Sequence, residues 1–206
     1  MAMTTLNAQV KLDISTIEDI IKNEKQYYND ILELYKNDDP YLRIDDIALV
    51  YYGQAFSPEY KPGTDENEKL LNKLYDEGKH IEAYELAQKI LTYNPVSLNA
   101  LFKMIKTSQA LARTIEEYDT YARKFYGILG MITKYGDGKS SSSPFMIITP
   151  EDQDYVMYGM MGIKNEISRD FDKETLCNIV LVEPSEEFPS RRMYFGFRLF
   201  LKHSKK

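Results

Sequence analysis

The chain has 206 residues, of which 43% are hydrophobic and 28% are charged, as in an ordinary globular protein of one domain or two small ones. Its formal net charge of −6 argues against a nucleic-acid-binding protein, since such proteins need a basic surface to replace counterions. Cys177 is the single cysteine, so an internal disulfide is excluded, and no apolar run approaches the ~20 residues that a membrane helix needs.

Residues 1–14 are expected to form a flexible start. The stretch Leu6-Asn7-Ala8-Gln9 resembles the end of a bacterial signal peptide that is cleaved after Ala8, although the preceding residues supply neither a charged region nor an apolar core. We therefore expect the remnant of an export signal and a protein of the periplasm or cell envelope. A cytoplasmic protein is the alternative.

Two helices are predicted before the first long loop. Apolar residues recur at helical spacing over 15–36, and Pro40 then prevents the helix from continuing. The same spacing over 43–55 predicts a shorter helix, which is followed by a loop that contains Pro58 and Pro62.

Residues 64–95 predict two antiparallel helices joined by a tight turn. A glycine can adopt the left-handed conformation that ends the first helix, and a proline stops the second. Two alanines four residues apart lie on one side of the second helix, where they let a neighbouring helix approach closely. This spacing resembles the tetratricopeptide repeat. The repeat-like packing positions are Leu70, Gly78, Ala83, Ala87 and Pro95.

Two further helices are predicted, from Ser97 to about Ala112 and from Thr114 to about Lys134. After them the pattern of apolar residues changes from helical to strand-like. Beyond a polar loop, residues 145–149 and 175–183 are predicted to be strands, with a short helix over 151–161 between them. Residues 193–201 alternate between apolar and mixed side chains, which predicts a last strand.

These elements predict an α+β protein. A stack of about six antiparallel, tetratricopeptide-like helices is expected over 15–135. A small, mainly antiparallel sheet of three or four strands with one helix is expected over 136–206. The second region ends in a basic tail, because residues 191–206 hold six Arg or Lys and no acid, whereas 151–190 hold ten acids and three bases. The tail is interpreted as a solvated charged end or as a docking segment.

Two sets of sequence motifs occur along the chain in the same order as in a known protein family. The first, a Leu-x-Tyr-Tyr-Gly motif and a Tyr-x-Pro motif, comprises Leu49, Tyr51, Tyr52, Gly53, Tyr60 and Pro62. The second, a Gly-Asp-Gly turn, a strand and an acidic helix, comprises Gly136, Asp137, Gly138, Ser140, Ile147, Asp154, Tyr155 and Gly162. Over most of its length the chain resembles an uncharacterised bacterial family, domain of unknown function 4919, found mainly in Bacteroidetes. The resemblance implies architecture and export but no chemistry.

Candidate functional residues are few. Tyr51, Tyr52 and Tyr60 are interpreted either as core residues or as the lining of a groove for a glycan, small molecule or peptide. The sequence Gly136-Asp137-Gly138 is interpreted as a structural turn, because it lacks the longer frame of a phosphate loop and the ligand series of a calcium loop.

The sequence contains no recognisable catalytic or metal-binding signature. His80 and His203 are the only histidines, neither has a metal-ligand partner at helical spacing, and pairing of Cys177 with His80 as nucleophile and base is disfavoured. We therefore expect no cofactor and a non-enzymatic protein that binds a protein partner through its helices. A binding module for a glycan or small molecule is the alternative, and a hydrolase with an unrecognised site is a third hypothesis.

Overall fold

The structure is a computed structural model that describes residues 13–203. The predicted export-signal remnant at residues 6–9 and the last three residues of the basic tail lie outside this range. Seven helices come first within it: α1 Ile14–Asn23, α2 Lys25–Lys36, α3 Ile44–Gly53, α4 Glu66–Asp76, α5 His80–Tyr93, α6 Leu98–Ala110 and α7 Ile115–Tyr135. The remaining elements are β1 Phe145–Met146, α8 Asp152–Gly159, β2 Glu166–Asp172, β3 Cys177–Val182, β4 Arg192–Gly196 and α9 Arg198–His203. The protein is therefore α+β, with the helices preceding the sheet, as predicted.

The single helix predicted over 15–36 is two helices. The backbone leaves the helical conformation at Glu24, where φ is −123° and ψ is 45°. The break allows α1 and α2 to pack against each other and both to pack against α3. The apolar spacing continues across the break because each helix buries one side, with Ile17 buried in α1 and Ile31 and Tyr35 in α2.

Helices α4 and α5 form the predicted hairpin, and α4, α5 and α6 pack on one another. Gly78 lies in the turn with φ of +73°, and Ala83 and Ala87 are fully buried. Leu70 was assigned a packing position, and this is wrong, because it is 45% exposed while Leu71 is fully buried. Successive side chains are about 100° apart around the axis of a helix, so Leu71 faces the core and Leu70 does not. The resemblance to the tetratricopeptide repeat stays a prediction.

The sheet has four strands in the order β1-β4-β3-β2. Strand β4 pairs antiparallel with β3 and parallel with β1, with Phe195 opposite Phe145. The last strand was predicted to run to residue 201, but it ends at Gly196 and is followed by α9, so this region holds two helices instead of one. The short apolar run from Phe197 fits a helical period as well as a strand period, which explains the error.

One hydrophobic core joins the helical region to the sheet. It extends from Ile17 in α1 through α3, α6 and α7 to Met193 in β4 and Leu199 in α9. A second, smaller cluster of buried residues lies among α4, α5 and α6. The regions predicted over 15–135 and 136–206 therefore pack against a shared core.

Candidate functional site

A cavity of about 570 Å³ opens where α8 meets the helical region, and we call it the α8 cleft. Its walls come from the loop that precedes α4, from α4, α6 and α7, and from α8 with the loop before it. The lining residues that carry the argument below are Tyr60, Asp65, Glu68, Asn94, Ser97, Asn99, Phe102, Phe125, Tyr126, Glu151, Asp152, Asp154, Tyr155 and Tyr158. Cavities of this size typically accommodate small molecules.

The three tyrosines singled out in the sequence do not form an exposed surface. Tyr51 and Tyr52 are completely buried, and Tyr60 is partly buried in the wall of the α8 cleft. Their hydroxyl groups all bond to the segment that leads from β1 into α8. Tyr52 donates to the Met146 carbonyl oxygen at 3.1 Å, and Tyr60 donates to the carbonyl oxygen of Ile148. The tyrosines therefore hold one wall of the cleft in place.

Asp152 is the most buried carboxyl group in the lining of the α8 cleft, with 5% of its surface exposed. Its Oδ2 accepts hydrogen bonds from the Tyr51 hydroxyl at 2.7 Å and from the Thr149 backbone N–H at 3.2 Å. The Tyr51 hydroxyl itself accepts from the Ile148 N–H at 3.3 Å, which fixes its direction. Burial raises the pKa of Asp152 to about 7, although the bonds from Tyr51 and Thr149 oppose this effect.

A chain of hydrogen bonds fixes Glu68 in the part of the wall that α4 contributes. Its Oε1 accepts from the Ser97 hydroxyl at 2.6 Å, and its Oε2 accepts from the Asn99 amide at 2.6 Å. The Asn99 side-chain oxygen in turn accepts from the Tyr155 hydroxyl at 3.1 Å, so the chain crosses from α4 through α6 to α8. Burial raises the pKa of Glu68, and the bonds from Ser97 and Asn99 lower it. Both carboxyl groups are thus held in fixed positions.

Aromatic rings form the apolar part of the α8 cleft. Phe102, Phe125 and Tyr155 pack together with ring centroids 5.5 to 5.7 Å apart. Tyr126 and Tyr158 also line the cleft and are 54% and 48% exposed. The cleft therefore combines a fixed aromatic wall with exposed aromatic residues that a ligand can contact.

The Gly136-Asp137-Gly138 sequence lies outside the α8 cleft and forms a local turn. Gly138 has φ of +65°, and its N–H donates to the Ser143 carbonyl oxygen at 2.9 Å. The Asp137 carboxylate accepts from the Lys139 N–H at 3.1 Å. A Cβ atom on Gly136 would lie 2.0 Å from a backbone oxygen, so this position requires glycine. The Gly138 carbonyl oxygen also accepts from the Tyr194 N–H of β4 at 2.8 Å, so the turn is tied to the sheet.

The other residues considered for chemistry do not converge. Cys177 is buried on β3 and His80 begins α5, and neither lines the α8 cleft. Over residues 13–203, histidine, cysteine and carboxylate side chains are not grouped in threes or more in a way that could hold a metal ion. None of the helices within the same range is long and apolar enough to cross a membrane.

Sequence reasoning missed the roles of Asp152 and Glu68, because each stands in an ordinary helical context with no motif of its own. The residues of the two family motifs indicated part of the cleft lining. Tyr60, Asp154 and Tyr155 all line the α8 cleft, although the motifs that contain them are about 90 residues apart in the chain.

Comparisons with curated proteins and with solved structures found no match. A family model does match, and it covers residues 15–206, which is nearly the whole chain. Its description is a domain of unknown function, which confirms the resemblance inferred from the motifs. The chain therefore belongs to the DUF4919 family.

Proposed function

We propose that the protein is a non-enzymatic binding protein that holds a small molecule or short glycan in the α8 cleft. The observation that carries this proposal is a cavity of about 570 Å³ with aromatic walls and carboxyl groups in fixed positions. Ligand sites in proteins commonly combine such an apolar lining with a small number of well-placed polar groups. This is the alternative function derived from the sequence, at a site that shares only Tyr60 with the three tyrosines considered there.

The geometry supports the proposal in two ways. The hydrogen-bond chain through Glu68, Asn99 and Tyr155 orders the polar groups before a ligand arrives, which lowers the entropy lost on binding. The exposed rings of Tyr126 and Tyr158 offer large, rigid contact surfaces to a sugar ring or other flat ligand.

Binding of a small-molecule and oligosaccharide library should be measured by calorimetry with the wild type and with Tyr158→Ala. We expect at least one ligand whose affinity falls about tenfold in the variant, because the ring is lost from the rim of the cleft. Tyr41→Ala is the control, since Tyr41 is 89% exposed and does not line the cleft. Equal affinities in both variants, or a library without a single ligand, would refute the proposal.

A protein-interaction role, which the sequence favoured, ranks below ligand binding. The face of α5 that carries Ala83 and Ala87 is fully buried against neighbouring helices, so those side chains are not accessible to a partner. A partner would have to contact another side of the hairpin. Retention of one stoichiometric protein from native envelope extract, lost on substitution of the exposed Ile81 but not of Tyr158, would favour this role instead.

A hydrolase is the other candidate, because two carboxyl groups with raised pKa line one cleft. Against it, Asp152 Oδ2 is already bonded to Tyr51 and Thr149. Incubation of each identified ligand with the protein, followed by mass spectrometry, separates the two functions. Recovery of intact ligand supports binding, and turnover that is lost in Asp152→Asn supports hydrolysis.

Export is also part of the proposal. It is supported by the likeness of residues 6–9 to a signal-peptide end. Fractionation of native cells tests it directly, since recovery in the cytoplasmic fraction would contradict it.

A further inference from the structure

We infer that the ligand of the α8 cleft carries an alkylammonium group, as an amino sugar or a small aliphatic diamine does. This inference rests on the proposed binding function and specifies its ligand class. It depends on the charge of the lining, on an acceptor that lacks a donor, and on the aromatic wall.

The lining of the α8 cleft is acidic. The acidic residues that line the α8 cleft outnumber the basic ones by six to two. The acidic residues are Glu59, Asp65, Glu68, Glu151, Asp152 and Asp154, and the basic residues are Lys61 and Lys69. Lys69 is paired with Glu66 at 2.8 Å, and Asp154 is paired with Arg169 at 2.6 Å. Five acidic residues and Lys61 then remain. Asp152 is partly protonated near neutral pH because its pKa is about 7, but the lining is still net negative and would repel an anionic ligand.

The lining of the α8 cleft also holds more hydrogen-bond acceptors than donors. Carboxylates only accept hydrogen bonds, so this lining is rich in acceptors. Asn94 also lines the α8 cleft, and its buried Oδ1 has no donor among the described residues. Buried acceptors of this kind are normally satisfied, and a rotation of the partly exposed Asn94 side chain would present this oxygen to the three N–H groups of an ammonium.

The aromatic wall of the α8 cleft favours a cation as well. The rings of Phe102, Phe125 and Tyr155 form one cluster in the α8 cleft, and Tyr126 and Tyr158 are exposed beside it. A cation within about 6 Å of an aromatic ring centre is attracted by the charge distribution of the ring. Carboxylates and aromatic rings in one cavity therefore favour an organic cation over a neutral molecule of the same size.

The experiment compares matched pairs of probes by calorimetry at about pH 7. The first pair is the glucosamine disaccharide and its N-acetylated form, and the second pair is putrescine and 1,4-butanediol. We expect at least one amine to bind about tenfold more tightly than its neutral counterpart. We also expect this preference to shrink as salt is raised from about 50 to about 500 mM, because ions screen the attraction.

A charge variant tests the site itself. Glu151→Gln should weaken binding of the amine several-fold more than binding of its neutral counterpart, because Glu151 is exposed at the cleft and its replacement removes one negative charge. Glu174→Gln is the control, since Glu174 is exposed in the β2–β3 connection and does not line the cleft.

The outcomes separate this inference from the proposed function. If the amino sugar, putrescine or both bind more tightly than their neutral counterparts, the ligand carries an ammonium group. The amine that binds then shows whether this group belongs to a sugar or to an aliphatic amine. Neutral probes that bind as tightly as the amines, or tighter, overturn the inference but leave the binding function standing. Absence of binding by both amines also overturns the inference, and the library measurement with Tyr158→Ala then decides the binding function on its own.

Discussion

Replacement of Asp152 by Asn tests whether the cleft wall holds a carboxyl group that is partly protonated near neutral pH. Burial raises the pKa of Asp152 to about 7, above its ordinary value of 3.8. The folded protein therefore binds more protons at this group than the unfolded chain does between about pH 4 and about pH 7. Because the folded state holds the extra proton, the contribution of Asp152 to the free energy of unfolding falls as pH rises through this window.

The magnitude follows from the size of the shift. Each pKa unit corresponds to about 1.4 kcal/mol, so a rise from 3.8 to about 7 corresponds to roughly 4 kcal/mol over the whole window. The part between about pH 5 and about pH 8 is roughly 2 to 3 kcal/mol. The full conversion applies because the side chain is only 5% exposed and is poorly screened by solvent.

Urea unfolding of the wild type and Asp152→Asn across this pH range measures the effect. The amide oxygen can still accept from Tyr51 and Thr149 but does not titrate. As pH rises from about 5 to about 8, the free energy of unfolding of the variant should therefore increase by roughly 2 to 3 kcal/mol relative to that of the wild type. With a slope of about 2 to 3 kcal/mol/M, the difference between the midpoints should change by about 1 M. The exposed Asp119→Asn is the control. A difference between Asp152→Asn and wild type that stays constant with pH would refute the reasoning.

Two further predictions each compare a pair of alanine substitutions, one pair at glycines and one at neighbouring leucines. The free energy of unfolding in urea is the measurement for both pairs. Gly53→Ala should destabilise the protein by about 1 to 3 kcal/mol, because the added Cβ would lie 2.7 Å from the Tyr28 ring. Gly130→Ala should stabilise it by about 0.5 to 1 kcal/mol, because the added Cβ would meet no atom within 4 Å and alanine favours the helix. Leu71→Ala should cost about 2 to 5 kcal/mol, while the exposed Leu70→Ala should change stability by less than about 0.5 kcal/mol. Equal effects within either pair would contradict the packing described above.

The helices were predicted best where a local signal marks their ends. Gly78 ends α4 and Ser97 caps α6, where its hydroxyl accepts from the Ala100 N–H at 3.0 Å. The break at Glu24 has no such signal, because neither proline nor glycine stands there and the apolar spacing continues. It results from packing of α1 and α2 against α3, which is a tertiary effect that local sequence does not contain.

The candidate site was predicted only in part, and for a related reason. Tyr60 lines the α8 cleft, but the aromatic pattern could not tell its partly buried ring from the fully buried rings of Tyr51 and Tyr52. The partner of Tyr51, Asp152, lies 101 residues further along the chain. Pairing across that distance depends on how the first residue of α8, a helix that packs on α6, is placed beside α3, which periodicity within either helix does not determine.

The position of Tyr51 shows how a buried residue can orient a side chain in the wall of a cleft that the residue itself does not line. The ring lies in the core and does not line the α8 cleft, but its hydroxyl sets the direction of the Asp152 carboxyl group and accepts from the Ile148 N–H. Loss of this hydroxyl would leave a buried carboxyl group without one of its donors, which typically costs about 1 to 3 kcal/mol. The wall of the cleft therefore depends on α3 as much as on α8, and the binding proposed for the cleft is a property of the joined helical region and sheet.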